Sequence, residues 1–364
     1  MNIAAGTTIE HYELVKMLGT GSAGEVYRAH DKKLERTVAI KLLTEETAAA
    51  DTELRRRFIQ EAKAASALNH PNILTVFEAG QYQGLDYMVM EYVEGQTLKE
   101  SLKLGKMPLP NLLNLAIQMC VALESAHAAN IIHRDIKPDN IMIRKDGLVK
   151  LLDFGLAKIK DKQNQALTST KPGTLLGTIG YMSPEQAQCE PSTDARADIF
   201  SLGAVFYEMA TGKTPFHREN HIDTLYAILK SDPEPFLPEQ DIPEELQQII
   251  LKALRKDPSE RYQSAKEMLV ELRRLSKEAE FQRVLQRVEE KSGSPEARKF
   301  LADTNLLTDS SLADGQSMFS SQVYNIGLMF NDPKQQIKSN NLPWVLVVIL
   351  SIIVVIETII ILFR

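Results

Sequence analysis

Residues 131–143, IIHRDIKPDNIMI, set His133, Arg134, Asp135, Lys137, Asp139 and Asn140 between two aliphatic runs. A turn accounts for Pro138 and one aspartate, because proline presets φ and aspartate tolerates turn geometry; the other polar residues stay unexplained. Charges at the edge of a core are costly without partners, so the cluster reads as a site. A carboxylate at Asp135 can accept the proton of a substrate hydroxyl. The amide oxygen of Asn140 and the carboxylate of Asp153, in LLDFG, are hard oxygen donors. Such donors suit Mg²⁺ bridging triphosphate oxygens better than a softer metal. Lys137 can neutralise charge building on a transferred phosphoryl group. Phosphoryl transfer asks a protein mainly for positioning and electrostatics, and this constellation supplies both.

Upstream, LGTGSAGEV places Gly19, Gly21 and Gly24 in a G-x-G-x-x-G spacing followed by Val26. Residues without Cβ let backbone amides approach phosphate oxygens. The spacing alone fits a hairpin turn, a dinucleotide fingerprint or a nucleoside triphosphate loop. Strands predicted on both sides, and Lys41 in the following VAIK, favour the last. A lysine inside an apolar strand needs an anion. Glu61 on the neighbouring predicted helix can supply one, leaving the ammonium to hold the α and β phosphates as well. An isolated glutamate on a helix is ordinarily just a solvated one.

The elements that must position these groups are readable in outline. YELVKML, GEVYRAH, TVAIKLL, LTVFEAG and LDYMVMEY predict short strands over residues 12–91. They are interrupted by one helix, TELRRRFIQEAKAASAL, with Leu54, Phe58, Ala62, Ala65 and Leu68 at helical spacing. From about 95 to 275 the patterns turn mainly helical, as in LLNLAIQMCVALESAH, DIFSLGAVFYEMAT and ELQQIILKAL. After 276 the chain is polar and mixed, which predicts short helices in a mobile linker.

Composition excludes several classes. A net charge of −6 gives no basic footprint, so nucleic acid is not an expected partner. Cys120 and Cys189 have neither metal spacing nor the density of a disulfide framework. The opening MNIAAGTTIEHYELV lacks the basic start and apolar run of a secretory leader. LPWVLVVILSIIVVIETIIILF, residues 342–363, has only Ser351, Glu357 and Thr358 as polar interruptions. At about 1.5 Å per residue it is long enough to cross about 30 Å of hydrocarbon, so a membrane span is expected. Lys334 and Lys338 on its near flank agree with a cytoplasmic N-terminal side, giving an expected single-pass tail anchor in the cell membrane with Arg364 reaching the far side. Glu357 either protonates or snorkels outward, or it hydrogen-bonds to a second span and pairs two copies of the chain as a homodimer.

Taken together, Gly19 to Val26, Lys41, Glu61, HRDIKPDN, DFG and SPE resemble the protein kinase family over residues 12–275. HPNI at His70–Ile73, GTIGYMSPEQ at Gly177–Gln186 and DIFSLG at Asp198–Gly203 are similar to the bacterial receptor-type serine/threonine kinases. The resemblance implies an α+β bilobal fold, with a small β-rich N-lobe bearing one helix (12–91) and a larger helical C-lobe (92–275). Around it would lie an N-terminal extension (1–11), a juxtamembrane linker (276–341) and the transmembrane helix (342–363). It implies ATP and Mg²⁺, with Asp135 as catalytic base, Asn140 and Asp153 as metal ligands, and Lys41 with Glu61 as the ion pair of the active state. Glu91 and Val93 would offer hinge backbone groups to adenine, Met90 would be the gatekeeper, and Val26, Ala39 and Met142 would sandwich the ring. Asp198 would brace the catalytic loop, and Glu185 with Arg261 would anchor the activation segment. Lys137 and Thr178 resemble the serine/threonine pattern, so protein serine and threonine hydroxyls are the expected acceptors. Arg134 beside Asp135 implies control by phosphate on the activation segment, at Thr170 first, then Thr174, with Thr168 and Ser169 also present. Ser183 stands where the family usually has alanine. A pseudokinase scaffold is disfavoured by the complete set Lys41, Glu61, Asp135, Asn140 and Asp153. A small-molecule phosphotransferase is disfavoured by the docking segment GTIGYMSPE.

Overall fold

Along β3, Gly24–Asp31, the side chains of Tyr27, Ala29 and Asp31 are buried while Arg28 and His30 are exposed, the period of two of a strand with one face in a core. The central strand β4, Arg36–Leu43, is buried continuously from Val38 onward because both its faces are covered. These elements come from a computed structural model, which describes residues 5–21, 24–43, 52–154, 179–190 and 193–292. The remaining strands of the first sheet are β1 (Thr8–Ile9), β2 (Tyr12–Gly21), β5 (Val76–Tyr82) and β6 (Leu85–Glu91). Its order is β1-β2-β3-β4-β6-β5, and every neighbouring pair is antiparallel.

The parity of β4 decides the geometry that follows. Val38, Ile40 and Leu42 join Tyr27, Ala29, Leu85, Tyr87 and Val89 in one apolar cluster. Ala39 and Leu43 join Phe58, Ala62, Met88, Met90 and Val93 in another, with Val26, Met142 and Leu152 packed against it. Lys41 shares the parity of that second face. Helix α1, Thr52–Ser66, supplies Phe58 and Ala62 to the same face. Asp86 on β6 accepts two hydrogen bonds from Arg55 of α1, at 2.7 and 3.2 Å, which ties the helix to the sheet.

The rest is mainly helical, as expected, around a small sheet that the patterns only half announce. Strands β7 (Gly95–Thr97), β8 (Ile141–Arg144) and β9 (Val149–Leu151) pair in that order. They are too short for a period to register in the sequence. The helices are α2 (Leu98–Leu102), α3 (Leu109–Ala128), α4 (Pro184–Ala187), α5 (Arg196–Thr211), α6 (His221–Lys230), α7 (Glu244–Ala253) and α8 (Ala265–Ser292). Every residue of α5 from Ala197 to Tyr207 is buried, so it is the central helix of this half. Helix α8 differs from expectation, since the sequence reading placed a boundary at 275 and short helices after it. Its sequence contains neither proline nor glycine and is rich in Leu, Glu, Lys and Arg, so nothing local stops the helix there. The chain divides into two compact units, Met1–Lys277 and Glu278–Arg364, and the site lies in the first. No helix among the described residues is long and apolar enough to cross a membrane. The apolar run 342–363 lies outside the described residues.

Candidate active site

Lys41 leaves β4 with a side chain only 7% exposed, and its ammonium lies 2.8 Å from Glu61 Oε1 of α1 and 3.4 Å from Asp153 Oδ1. Burial works against that ammonium, but the carboxylates of Asp153 and Glu61 outweigh it and hold its pKa above the ordinary lysine range. Burial also raises the Glu61 carboxyl, with Lys41 opposing and Asp153 adding to the rise. Lys41 is therefore held as a fixed cation between the two carboxylates.

The polar stretch 131–140 forms the loop between α3 and β8, and its partners account for its composition. Asp198, fully buried on α5, accepts from the backbone N–H groups of His133 and Arg134 at 2.8 and 2.7 Å, and His127 Nε2 lies 2.8 Å from it. His133 is held neutral, burial lowering its pKa against the pull of Asp198 and Asp135. Its Nε2 then donates to the carbonyl of Leu152 at 2.8 Å, and its Nδ1 accepts the Asp135 N–H at 3.3 Å. The imidazole thus joins the loop carrying Asp135 to the strand end carrying Asp153, and it packs against the Phe154 ring, centroids 4.5 Å apart and planes tilted by 39°. Arg134 and Asp153 have φ of 65° and 50°, left-handed values that a non-glycine residue holds only when its surroundings impose them. For Arg134 the imposing groups are Asp198, on its N–H, and Gln186 Nε2, which donates to its carbonyl at 2.9 Å.

Asp135 and its neighbours converge. Lys137 Nζ is 3.0 Å from Asp135 Oδ2, and Asn140 Nδ2 donates at 2.9 Å to both the carbonyl and Oδ2 of Asp135. That orientation of the Asn140 amide turns its oxygen away from those acceptors. The Asp153 side chain is 46% exposed despite its contact with Lys41. One amide oxygen and one half-open carboxylate are compatible with a hard cation that keeps water and phosphate oxygens in its shell.

Around the sheet, Val26, Ala39, Met90, Val93 and Met142 all belong to or pack on one apolar cluster. The Glu91 N–H is donated to the Thr75 carbonyl, so a polar contact from Glu91 to a base falls to its carbonyl. Beside this strand end, Glu91 to Glu94 and Arg144 to Asp146 line a half-open cavity of about 270 Å³. In the glycine loop, Gly19 pairs with Val26 and Gly21 with Gly24 across β2 and β3.

Further along, Glu185 and Arg261 form a buried two-pronged pair, at 2.8 and 2.9 Å. Arg261 also donates to the carbonyls of Arg255, Arg196 and Lys256. Ser183 caps α4, accepting from the Gln186 N–H, while the Gln186 side chain accepts from the Ser183 N–H. The serine in place of alanine therefore makes a reciprocal cap. Gln186, which the sequence reading passed over, carries that cap to Arg134; the spacing S-x-x-Q was its visible signal. Thr168, Ser169, Thr170, Thr174 and Thr178 lie outside the described residues. Cys120 is buried and Cys189 exposed.

Comparison with known proteins places this geometry. The sequence pattern of the protein kinase domain matches residues 12–271. A probable serine/threonine-protein kinase of Streptomyces coelicolor is 42% identical over 267 residues, covering 72% of this chain and 39% of the relative. One of Clostridium perfringens is 41% identical over 272 residues, covering 73% and 38%. The serine/threonine-protein kinase PknB of Mycolicibacterium smegmatis is 40% identical over 279 residues, covering 74% and 44%. This chain thus spans less than half the length of these relatives. By the match over residues 12–271, the chain belongs to the protein kinase domain family, and its relatives are bacterial serine/threonine-protein kinases.

Proposed function

We propose that the chain transfers the γ-phosphoryl group of ATP to serine and threonine hydroxyls of proteins. The observation that carries this reading is the trio Lys41, Glu61 and Asp153 within ion-pair distance, on the sheet face that also bears the apolar cluster of Ala39, Met90 and Met142. Adenine would lie on that cluster, against the backbone of Glu91 and Val93. Lys41, held by Glu61, would take the α and β phosphates. Gly19, Gly21 and Gly24 would bring backbone amides to the phosphates from above. Asn140 and Asp153 would hold Mg²⁺, which when bound offsets charge on the phosphate oxygens. Asp135 would accept the proton of the acceptor hydroxyl as its oxygen bonds to the γ-phosphorus and the bond to the β-phosphate oxygen breaks. Lys137, 3.0 Å from Asp135, stands where charge on the moving group would need a cation. Incubating the full chain with γ-labelled ATP, Mg²⁺ and a general protein acceptor tests the reading; phosphoserine and phosphothreonine are the expected products.

Regulation follows from Arg134. Its Nε is buried and has no hydrogen-bond partner among the described residues, and burial lowers its pKa. A half-buried guanidinium whose Nε is unmatched among the described residues is suited to a phosphate, and Thr170 or Thr174 would supply it. Mass spectrometry of active chain finding every hydroxyl from Thr168 to Thr174 unmodified would contradict this. The run 342–363 would anchor the chain in the membrane, with the kinase domain cytoplasmic where ATP is. Deleting it should move the chain from the membrane to the soluble fraction.

A further inference from the structure

Lys150 on β9 is 5% exposed and takes no part in the chemistry above. Its Nζ lies 2.6 Å from Glu91 Oε1 and 3.2 Å from the Ile73 carbonyl. The same Glu91 oxygen accepts the Thr75 N–H at 2.8 Å, and the Glu91 N–H returns to the Thr75 carbonyl at 2.9 Å. Segment 72–75 is in turn bonded to β9. Leu151 N–H donates to the Asn72 carbonyl, Leu74 N–H to the Leu151 carbonyl, and Asn72 Nδ2 to the Val149 carbonyl. Three lengths of chain therefore meet at one ammonium: the end of β6, the approach to β5, and β9. The first runs on into Val93; the last runs on into Asp153.

A buried ion pair is poor evidence for stability, because an apolar pair of similar volume often does as well. What it can do is fix a register, and here the register lies between the adenine end and the metal end of the cleft. We propose, resting on the kinase reading, that Lys150 and Glu91 are a positioning pair that holds the hinge at a set distance from the strand delivering Asp153. Without the ammonium, the Glu91 carboxylate turns toward water and the hinge carbonyl moves with it, which weakens nucleotide capture more than the phosphoryl step.

The test is steady-state kinetics of the full chain with γ-labelled ATP for wild type, Lys150→Met, Glu91→Gln and the double variant. Each single change should raise KM for ATP about tenfold, the worth of one hydrogen bond to a charged group, and alter kcat less than about threefold. The double variant should be no worse than either single one, because both remove the same contact. Unchanged KM in the singles, additive losses in the double, or a lower Tm with KM intact would each overturn the pair. Should Lys150→Met fail to fold, Glu91→Gln, which keeps its shape, decides alone. Wild type without ATP turnover would overturn the kinase reading, and this inference with it; an active wild type with unaltered variants overturns only the pair.

Discussion

Gly24 and Gly19 sit in one loop under different demands. At Gly24, with φ of +120°, an added Cβ would lie 1.9 Å from the Leu42 carbonyl oxygen; at Gly19 it would meet nothing within 4 Å among the described residues. Gly24→Ala should therefore cost about 1–3 kcal/mol of stability, and Gly19→Ala should stay within about 0.5 kcal/mol, both read by urea unfolding of the full chain. The spacing of the glycines was legible in the sequence. Which one is sterically required was not, because the obstructing oxygen belongs to a different strand. His133 carries a second residue-scale expectation. Its pKa is lowered in the fold from an ordinary value of 6.5, so the unfolded chain binds the proton more readily. The stability it contributes is present above about pH 6.5 and is lost as pH falls below it. Tm should drop between pH 7.5 and 5.5 by more in wild type than in His133→Gln, and equal drops would contradict the assignment.

At the scale of elements, α4 is only four residues long and is held from outside. Its anchors are the Glu185–Arg261 pair and the bond from Gln186 to Arg134. Arg261→Ala leaves the Glu185 carboxylate buried without its cation, at a cost of about 3–5 kcal/mol. Denaturant unfolding should show that loss, and a change under about 1 kcal/mol would show that the pair is not the anchor. Strands β2 to β6 and helices α1, α3, α5 and α7 were legible because each is long enough to show its period, whereas the two-residue β1 was not. Strands β7 and β8 were not, being three and four residues long, whereas β9 was announced only by the apolar run ending at Asp153. The short helices expected after 275 were misjudged for a different reason: polarity marked a linker, whereas helix propensity, uninterrupted by glycine or proline, carried α8 to Ser292, although the compact units do divide after Lys277. Lys150 escaped notice because a lysine in VKLLDFG looks like a solvent-facing strand residue until Glu91 is seen beside it.

For the whole molecule, the account depends on residues far apart in sequence arriving at one cleft. Glu61 comes from α1, Lys41 from β4, Asp135 and Asn140 from the loop after α3, and Asp153 from the end of β9. Motif order along the chain gave their identity; only the fold gives the shared face of β4, the imidazole link from Asp135 to Asp153, and the half-buried Arg134 held through its backbone by Asp198 and Gln186. The most direct measurement is phosphoryl transfer from γ-labelled ATP to protein by purified full chain, compared with Asp135→Asn, alongside Tm. Asp135→Asn keeps the size of the side chain while removing proton acceptance, so kcat should fall on the order of 10² or more with Tm near that of wild type. Turnover in Asp135→Asn close to wild type, in a preparation free of other kinases, would contradict the assigned role.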